Sequence, residues 1–272
     1  MLIIKDISHL KLYLKAYQEK GYSIGYVPTM GALHQGHGKL FKQSQNDNQK
    51  TVISIFVNEK QFNKKEDFDK YPRNKGRDYD FCESHNVDVI FEPSSEEIYP
   101  DDKPILKNKY FQNILCDRFR PGHFDGVTTV LNEFFSIVHA NKVYFGQKDY
   151  QQLKIVEKFI EEKFTNLKII SIPTERQEEG IAYSSRNENL SKKQLQEFID
   201  FHSSAIQFTK SFDKKIALFI EKPKKFYRRT VLMKDLEIEI KISKQRKLET
   251  LELINQTIQD IEKLIDKQNL KD

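Results

Sequence analysis

The densest chemistry in this chain lies in ten consecutive residues, Pro28-Thr29-Met30-Gly31-Ala32-Leu33-His34-Gln35-Gly36-His37. His34 and His37 are three apart, so at a helix entry both imidazoles point the same way. Gly31 and Gly36 let the main chain approach a ligand closely. The helix expected from Gly36 offers free amides and the positive end of its dipole to an anion. Two imidazoles at that place suit phosphate oxygens, because each ring can donate a hydrogen bond. A metal site is the rival chemistry, but no acidic third ligand stands nearby at a helix-face spacing. A lone histidine is most often structural, and that reading weakens when two share one Gly-rich turn.

The elements that must position this loop alternate. Ile24–Pro28 reads as a short buried strand, Gly36 to about Gln45 as a helix, and Thr51–Val57 as a strand rich in β-branched residues. A helix over Asp67–Ser84, a strand over Val87–Phe91 and a helix over Val127–His139 follow. The strand Lys142–Phe145, the helix Tyr150–Lys163 and the strand Leu167–Ile172 complete the series. This βαβα order predicts an α/β fold, a Rossmann-like parallel sheet with helices on both faces. Ligands of such sheets bind beyond the carboxyl ends of the strands, which directs attention to the loops after Val27, Val57, Phe145 and Ile172.

Near Leu190 the character changes to few glycines and many lysines and glutamates. Leu236, Ile238, Ile240 and Ile242 alternate with charges as a strand would, and Leu248 to Ile265 follow helical spacing. We therefore expect two domains, residues 1–187 and a smaller C-terminal α+β domain over 188–272.

The 272 residues, 38% hydrophobic and 31% charged, exclude a disordered or collagen-like chain. No apolar run approaches the ~20 residues that span a bilayer, and the opening Met1–Asp6 meets an acidic residue too early for a signal peptide. The net charge of +5 allows an anionic ligand, but no aromatic-interleaved basic motif marks a nucleic-acid reader. Cys82 and Cys116 exclude a disulfide framework, read as small buried hydrophobes and fit a reducing, cytoplasmic setting.

The decapeptide resembles the ATP-binding signature of the pantothenate synthetase (pantoate–β-alanine ligase) family, in the nucleotidyltransferase superfamily with a His-x-x-His element. Four further loops are similar to that family in the same order: Val57-Asn58-Glu59-Lys60-Gln61-Phe62, Arg120-Pro121-Gly122-His123-Phe124-Asp125-Gly126, Phe145-Gly146-Gln147-Lys148-Asp149-Tyr150-Gln151-Gln152, and Ser184-Ser185-Arg186-Asn187. Tyr71-Pro72-Arg73 and Ile98-Tyr99-Pro100 look like further landmarks. The chain departs at Glu59 (proline in the family), Gln147 (glutamate), Glu175 (an apolar residue beside adenine), Tyr183 (methionine) and Gly38-Lys39. The family's late motifs are not found in the C-terminal third.

The resemblance implies ATP-dependent condensation of (R)-pantoate with β-alanine through pantoyl adenylate, releasing AMP and pyrophosphate. It implies His34, His37, Lys148 and Arg186 as catalytic residues, with His37 the proton donor. Met30, Gly31, Gly36, Gly146, Gln147, Asp149, Glu175, Tyr183, Ser184 and Ser185 would complete the ATP site, Lys148 neutralising phosphate and Asp149 holding a ribose hydroxyl. Gln61 and Gln152 would hold pantoate, and Asn58 with Gln61 would seat β-alanine. The Arg120–Val127 segment would wall that pocket. Mg²⁺ would ride on the phosphates rather than in a protein cage, and a homodimer is implied. Two alternatives stay open: a related ligase or nucleotidyltransferase acting on another small acid, and a non-catalytic nucleotide-binding protein.

Overall fold

In the computed structural model the described residues are 1–100, 104–189, 191–193, 195, 196 and 199. Six short strands form one wholly parallel sheet: β1 (Leu2–Ile4), β2 (Ile24–Thr29), β3 (Lys50–Ile55), β4 (Val89–Phe91), β5 (Lys142–Gly146) and β6 (Lys168–Ile172). Their order is β1-β4-β3-β2-β5-β6. The helices are α1 (Ile7–Glu19), α2 (Gln35–Asp47), α3 (Lys65–Asp69), α4 (Lys75–Ser84), α5 (Ser95–Ile98), α6 (Leu115–Phe119), α7 (His123–Val138) and α8 (Tyr150–Lys163).

Side chains alternate across a strand, and here both alternating sets are apolar. Tyr26, Val52, Val89, Phe91, Val143 and Phe145 pack on one face with α1, α7 and α8. Val27, Ile53, Ile90 and Tyr144 pack on the other with Leu40 and Phe41 of α2 and Cys82 of α4. Burial on both faces is why these strands read as continuous apolar runs.

From β2 the chain steps through β3 and β4 in one direction and later through β5 and β6 in the other. The topological switch point therefore lies between β2 and β5. β2 pairs with β3 over six residues, but with β5 only at Gly25↔Lys142 and Tyr26↔Val143. Beyond those pairs the two strands part, and a crevice opens at their carboxyl ends.

Several expectations are corrected. β1 and α1 were not anticipated; Asp6 caps α1 by accepting from the His9 amide at 2.8 Å, and Leu10 and Leu14 bury its inner face. The helix expected over 67–84 is two helices, α3 and α4, because Pro72 cannot donate and cannot follow a helical residue. α4 restarts at Asn74, whose side chain accepts from Arg77 N at 3.1 Å. α7 begins four residues early, after Gly122 in the left-handed region (φ 80°). The strand expected to run to Val57 ends at Ile55. Cys82 is buried, but Cys116 is exposed, in the short helix α6. Residues Met1–Leu195 form one compact unit. The strand over 236–242 and the helix over 248–265 lie outside the described residues.

Candidate active site

The loop leaving β2 is fixed before any ligand arrives. Gly31 (φ 77°) and Ala32 (φ 49°) are both left-handed, a costly conformation for alanine. A Cβ on Gly31 would stand 2.8 Å from Asp78 Oδ2, so only glycine fits. Asp78, on α4 and 2% exposed, accepts from Ala32 N at 2.9 Å and Leu33 N at 2.7 Å. From the other side Ser185 Oγ donates to the Ala32 carbonyl at 2.9 Å. A buried carboxylate and a buried hydroxyl thus hold the strained turn.

His34 caps α2. Its Nδ1 accepts from Gly36 N at 3.2 Å, and His37 Nδ1 accepts from His34 N at 3.3 Å. An imidazole nitrogen that accepts from an amide carries no proton, so each neutral ring keeps its proton on Nε2. The rings lie 4.1 Å apart, centre to centre. Burial, then the Lys148 charge, pushes His34 down to about 4. Burial, then His34 and Lys148, holds His37 well below the usual imidazole range. Near neutral pH this is a pair of uncharged N–H donors at a helix N-terminus, a place suited to an anion.

The facing wall starts where β5 ends. A Cβ at Gly146 would meet open space, so this main chain is accessible. Lys148 lies 3.7 Å from Asp149, and Arg186 makes no ion pair among the described residues. Arg120 is pushed below its ordinary value by burial and then by Arg186. The cavity therefore carries two cations, Lys148 and Arg186, with the Arg120 charge near enough to feel Arg186, and an anion would relieve them. The Tyr183 ring stacks on His34 at 6.0 Å, and Ser184 Oγ accepts from Arg186 N at 3.4 Å.

Two departures from the family pattern meet in space, as Lys39 forms an ion pair with Glu175 at the cavity edge. Gly38 is also explained, since a Cβ there would stand 2.7 Å from His85 Nε2.

Below the phosphate side, Asn58 is 1% exposed. It donates through Nδ2 to Gln61 Oε1 (3.0 Å) and to the Gly126 carbonyl (3.1 Å), and its Oδ1 accepts from Tyr99 OH (2.8 Å). Gln61 Nε2 donates to Met30 Sδ at 3.1 Å. The Gln152 amide lines the same cavity with no partner among the described residues. Val127, Val130, Leu131 and Phe134 of α7 give an apolar floor, and the whole encloses about 220 Å³.

The structure thus brings together Met30, His34, Gly36, His37, Asn58, Gln61, Gly146, Lys148, Asp149, Gln152, Glu175, Tyr183, Ser184, Ser185 and Arg186. It does not bring Gln147, which is exposed and reaches 3.5 Å to Ser171 Oγ, nor Gly31, which shapes the loop without lining the cavity. Of the segment Arg120–Val127, Val127 walls the pocket, while His123 Nδ1 and Arg120 Nη2 brace it from 2.8 and 3.4 Å off the Gln61 carbonyl oxygen. Sequence reasoning missed Asp78, and it named Tyr99 and Tyr71, a buried tyrosine on the cavity wall, only as landmarks without a role. The one local signal for Asp78 is its place one turn before Cys82 on the buried side of α4.

The family model for pantoate-beta-alanine ligase matches residues 2–269. This chain belongs to the pantoate–β-alanine ligase family. The match reaches well past residue 190, where the recognisable motifs stop. The pantothenate synthetase of Aquifex aeolicus is 44% identical over 204 residues, 75% of this chain and 72% of that protein. That of Clostridium botulinum strain 657 is 44% identical over 202 residues, 71% and 69%. The crystal structure of the pantoate-beta-alanine ligase from Francisella tularensis, complexed with beta-gamma ATP and beta-alanine, is 38% identical. It has a TM-score of 0.72 and the match covers 75% of this chain and 78% of that one.

Proposed function

We propose that this ligase condenses pantoate with β-alanine at the expense of ATP, through a pantoyl adenylate. One observation carries the reading: paired Nε2–H donors at the start of α2 share a single cavity with Lys148 and with the Gln61 and Gln152 amides. A polyphosphate and a small hydroxy acid need those two sets of partners side by side.

In the first step the pantoate carboxylate attacks the α-phosphorus and pyrophosphate leaves. In the second the β-alanine amine attacks the acyl carbon and AMP leaves. The protein's work is alignment and charge stabilisation. His34 and His37 donate to phosphate oxygens, Lys148 and Arg186 neutralise the charge that moves to the leaving group, and Ser184 and Ser185 flank the chain of phosphates. A bound triphosphate raises the proton affinity of His37, which suits it as the proton donor. Met30, Gly146 and Asp149 hold the nucleoside, Gln61 and Gln152 the pantoate, and Asn58 acts on β-alanine through Gln61.

Among the described residues no three His, Cys, Asp or Glu side chains are grouped to hold a metal. Mg²⁺ would ride on the nucleotide phosphates. No described helix is long and apolar enough to cross a membrane. A homodimer, from family likeness, a cytoplasmic location, from the two cysteines, and a domain division near residue 187, from the change in composition, complete the proposal.

The test is pyrophosphate release with ATP and Mg²⁺, with and without pantoate, followed by product analysis after β-alanine. Pantoate-dependent release and β-alanine-dependent amide formation are expected. ATP binding without pantoate-dependent release would refute the reading and favour another acid or a non-catalytic role.

A further inference from the structure

Gln61 is a reversible group, because an amide can offer either its oxygen or its nitrogen to the cavity. Its surroundings leave no choice. The Gly126 carbonyl can only accept, so the Asn58 atom facing it must be Nδ2. Asn58 Oδ1 then faces Tyr99 OH, which donates. The second Nδ2 hydrogen of Asn58 meets Gln61, and the atom it meets must be Oε1. Gln61 therefore turns Nε2 toward the cavity, where the Met30 thioether, which also only accepts, receives one hydrogen at 3.1 Å. Two acceptor-only groups at opposite ends of the chain of bonds demand the same polarity.

The main chain of Gln61 is pinned as well. His123, 6% exposed, gives its Nδ1 hydrogen to the Gln61 carbonyl, and its Nε2 faces Arg120 Nη1 at 3.2 Å. A Cβ on Gly126 would stand 2.6 Å from Gln61 N, so α7 packs directly against this turn.

We propose that Gly126, Asn58 and Tyr99 form a polarity relay that presents Gln61 to the acid substrate only as an N–H donor, selecting a substrate with an oxygen acceptor at that point. These three are positioning residues, acting on substrate through Gln61. The inference rests on the ligase reading for the identity of the acid, but the orientation of the amide can be measured without it.

Two measurements test the relay on the full chain. In the ligand-free protein, the Gln61 side-chain amide protons should give a nuclear Overhauser contact to the Met30 methyl. Absence of that contact, with the Gln61 amide protons instead close to the Asn58 side chain, would overturn the proposal. Asn58→Asp is nearly isosteric but can no longer donate twice. It should abolish the contact to Met30 and raise the pantoate KM by about tenfold or more, with the ATP KM within about twofold of wild type. Tyr99→Phe removes only the donor to Oδ1, leaves Gly126 in command of the polarity, and should raise the pantoate KM by about threefold. An Asn58→Asp variant with wild-type pantoate KM would refute the relay. A wild-type chain that keeps the Met30 contact but releases no pyrophosphate with pantoate would instead refute the ligase reading.

Discussion

His123 should cost this fold stability as the pH falls below about 6.5. Its ring is buried, and burial followed by the Arg120 and Arg186 charges pushes its pKa down to about 4, while the Gln61 carbonyl opposes them. In the unfolded chain a histidine binds a proton near pH 6.5. The folded ring refuses it until about pH 4, so between those values the unfolded state holds more protons. Stability therefore falls as pH drops through 6.5, and this contribution is fully lost below about 4. At about 1.36 kcal/mol per pH unit the whole loss is about 3 kcal/mol, of which about 2 has gone by pH 5. The comparison is His123→Asn, whose Nδ2–H can still reach the Gln61 carbonyl but which never charges. Urea unfolding at pH 7.5 and pH 5 should show a stability drop for this variant about 2 kcal/mol smaller than for wild type, whatever its stability at pH 7.5. Equal drops in the two proteins would mean that the His123 pocket opens or hydrates freely, and the reasoning from burial would fail.

Gly38→Ala sets two magnitudes against each other. Helix propensity favours alanine by up to about 1 kcal/mol, but the new methyl meets His85 Nε2 at 2.7 Å, and overpacking costs about 1–3 kcal/mol. A net loss of about 1 kcal/mol in urea unfolding is expected, and a gain would show that His85 moves aside cheaply. The two thiols should separate in a labelling experiment on the folded chain. Cys116 is exposed and should react promptly, whereas Cys82 is buried with its thiol pushed up to about 12 by burial and then by Asp78. Equal rates would contradict the packing of α4 against the sheet.

The strands that build the crevice were legible because β-branched residues fill both faces of a parallel sheet, leaving runs such as Val52–Phe56 interrupted only by Ser54, whose hydroxyl is paired with Tyr26 OH at 2.7 Å. β1 was not, since three residues carry no period. The helix over 67–84 was misread because its charge pattern continues past Pro72, and a proline's missing donor outweighs that pattern. The motif loops announced themselves by residue type, and their side chains do converge. What held them in place was hidden. The Asp78 carboxylate reaches amides 45 and 46 positions earlier in the chain, Tyr99 reaches Asn58 across 41, and no local spacing encodes such bonds. Lys39 and Glu175 stood out only as separate oddities; their pairing needed the fold.

The early parting of β2 from β5 has a consequence for how a nucleotide could be read. Past Tyr26 and Val143, the edges of the two strands that face each other no longer share a ladder, so their amides and carbonyls are left to whatever enters between them. Those groups belong to the polypeptide itself, and apart from a proline such as Pro28, which has no N–H, a side-chain substitution does not remove them. A ligand that completes the missing ladder would be recognised by the absence of a strand, and such a contact tolerates drift in the side chains around it.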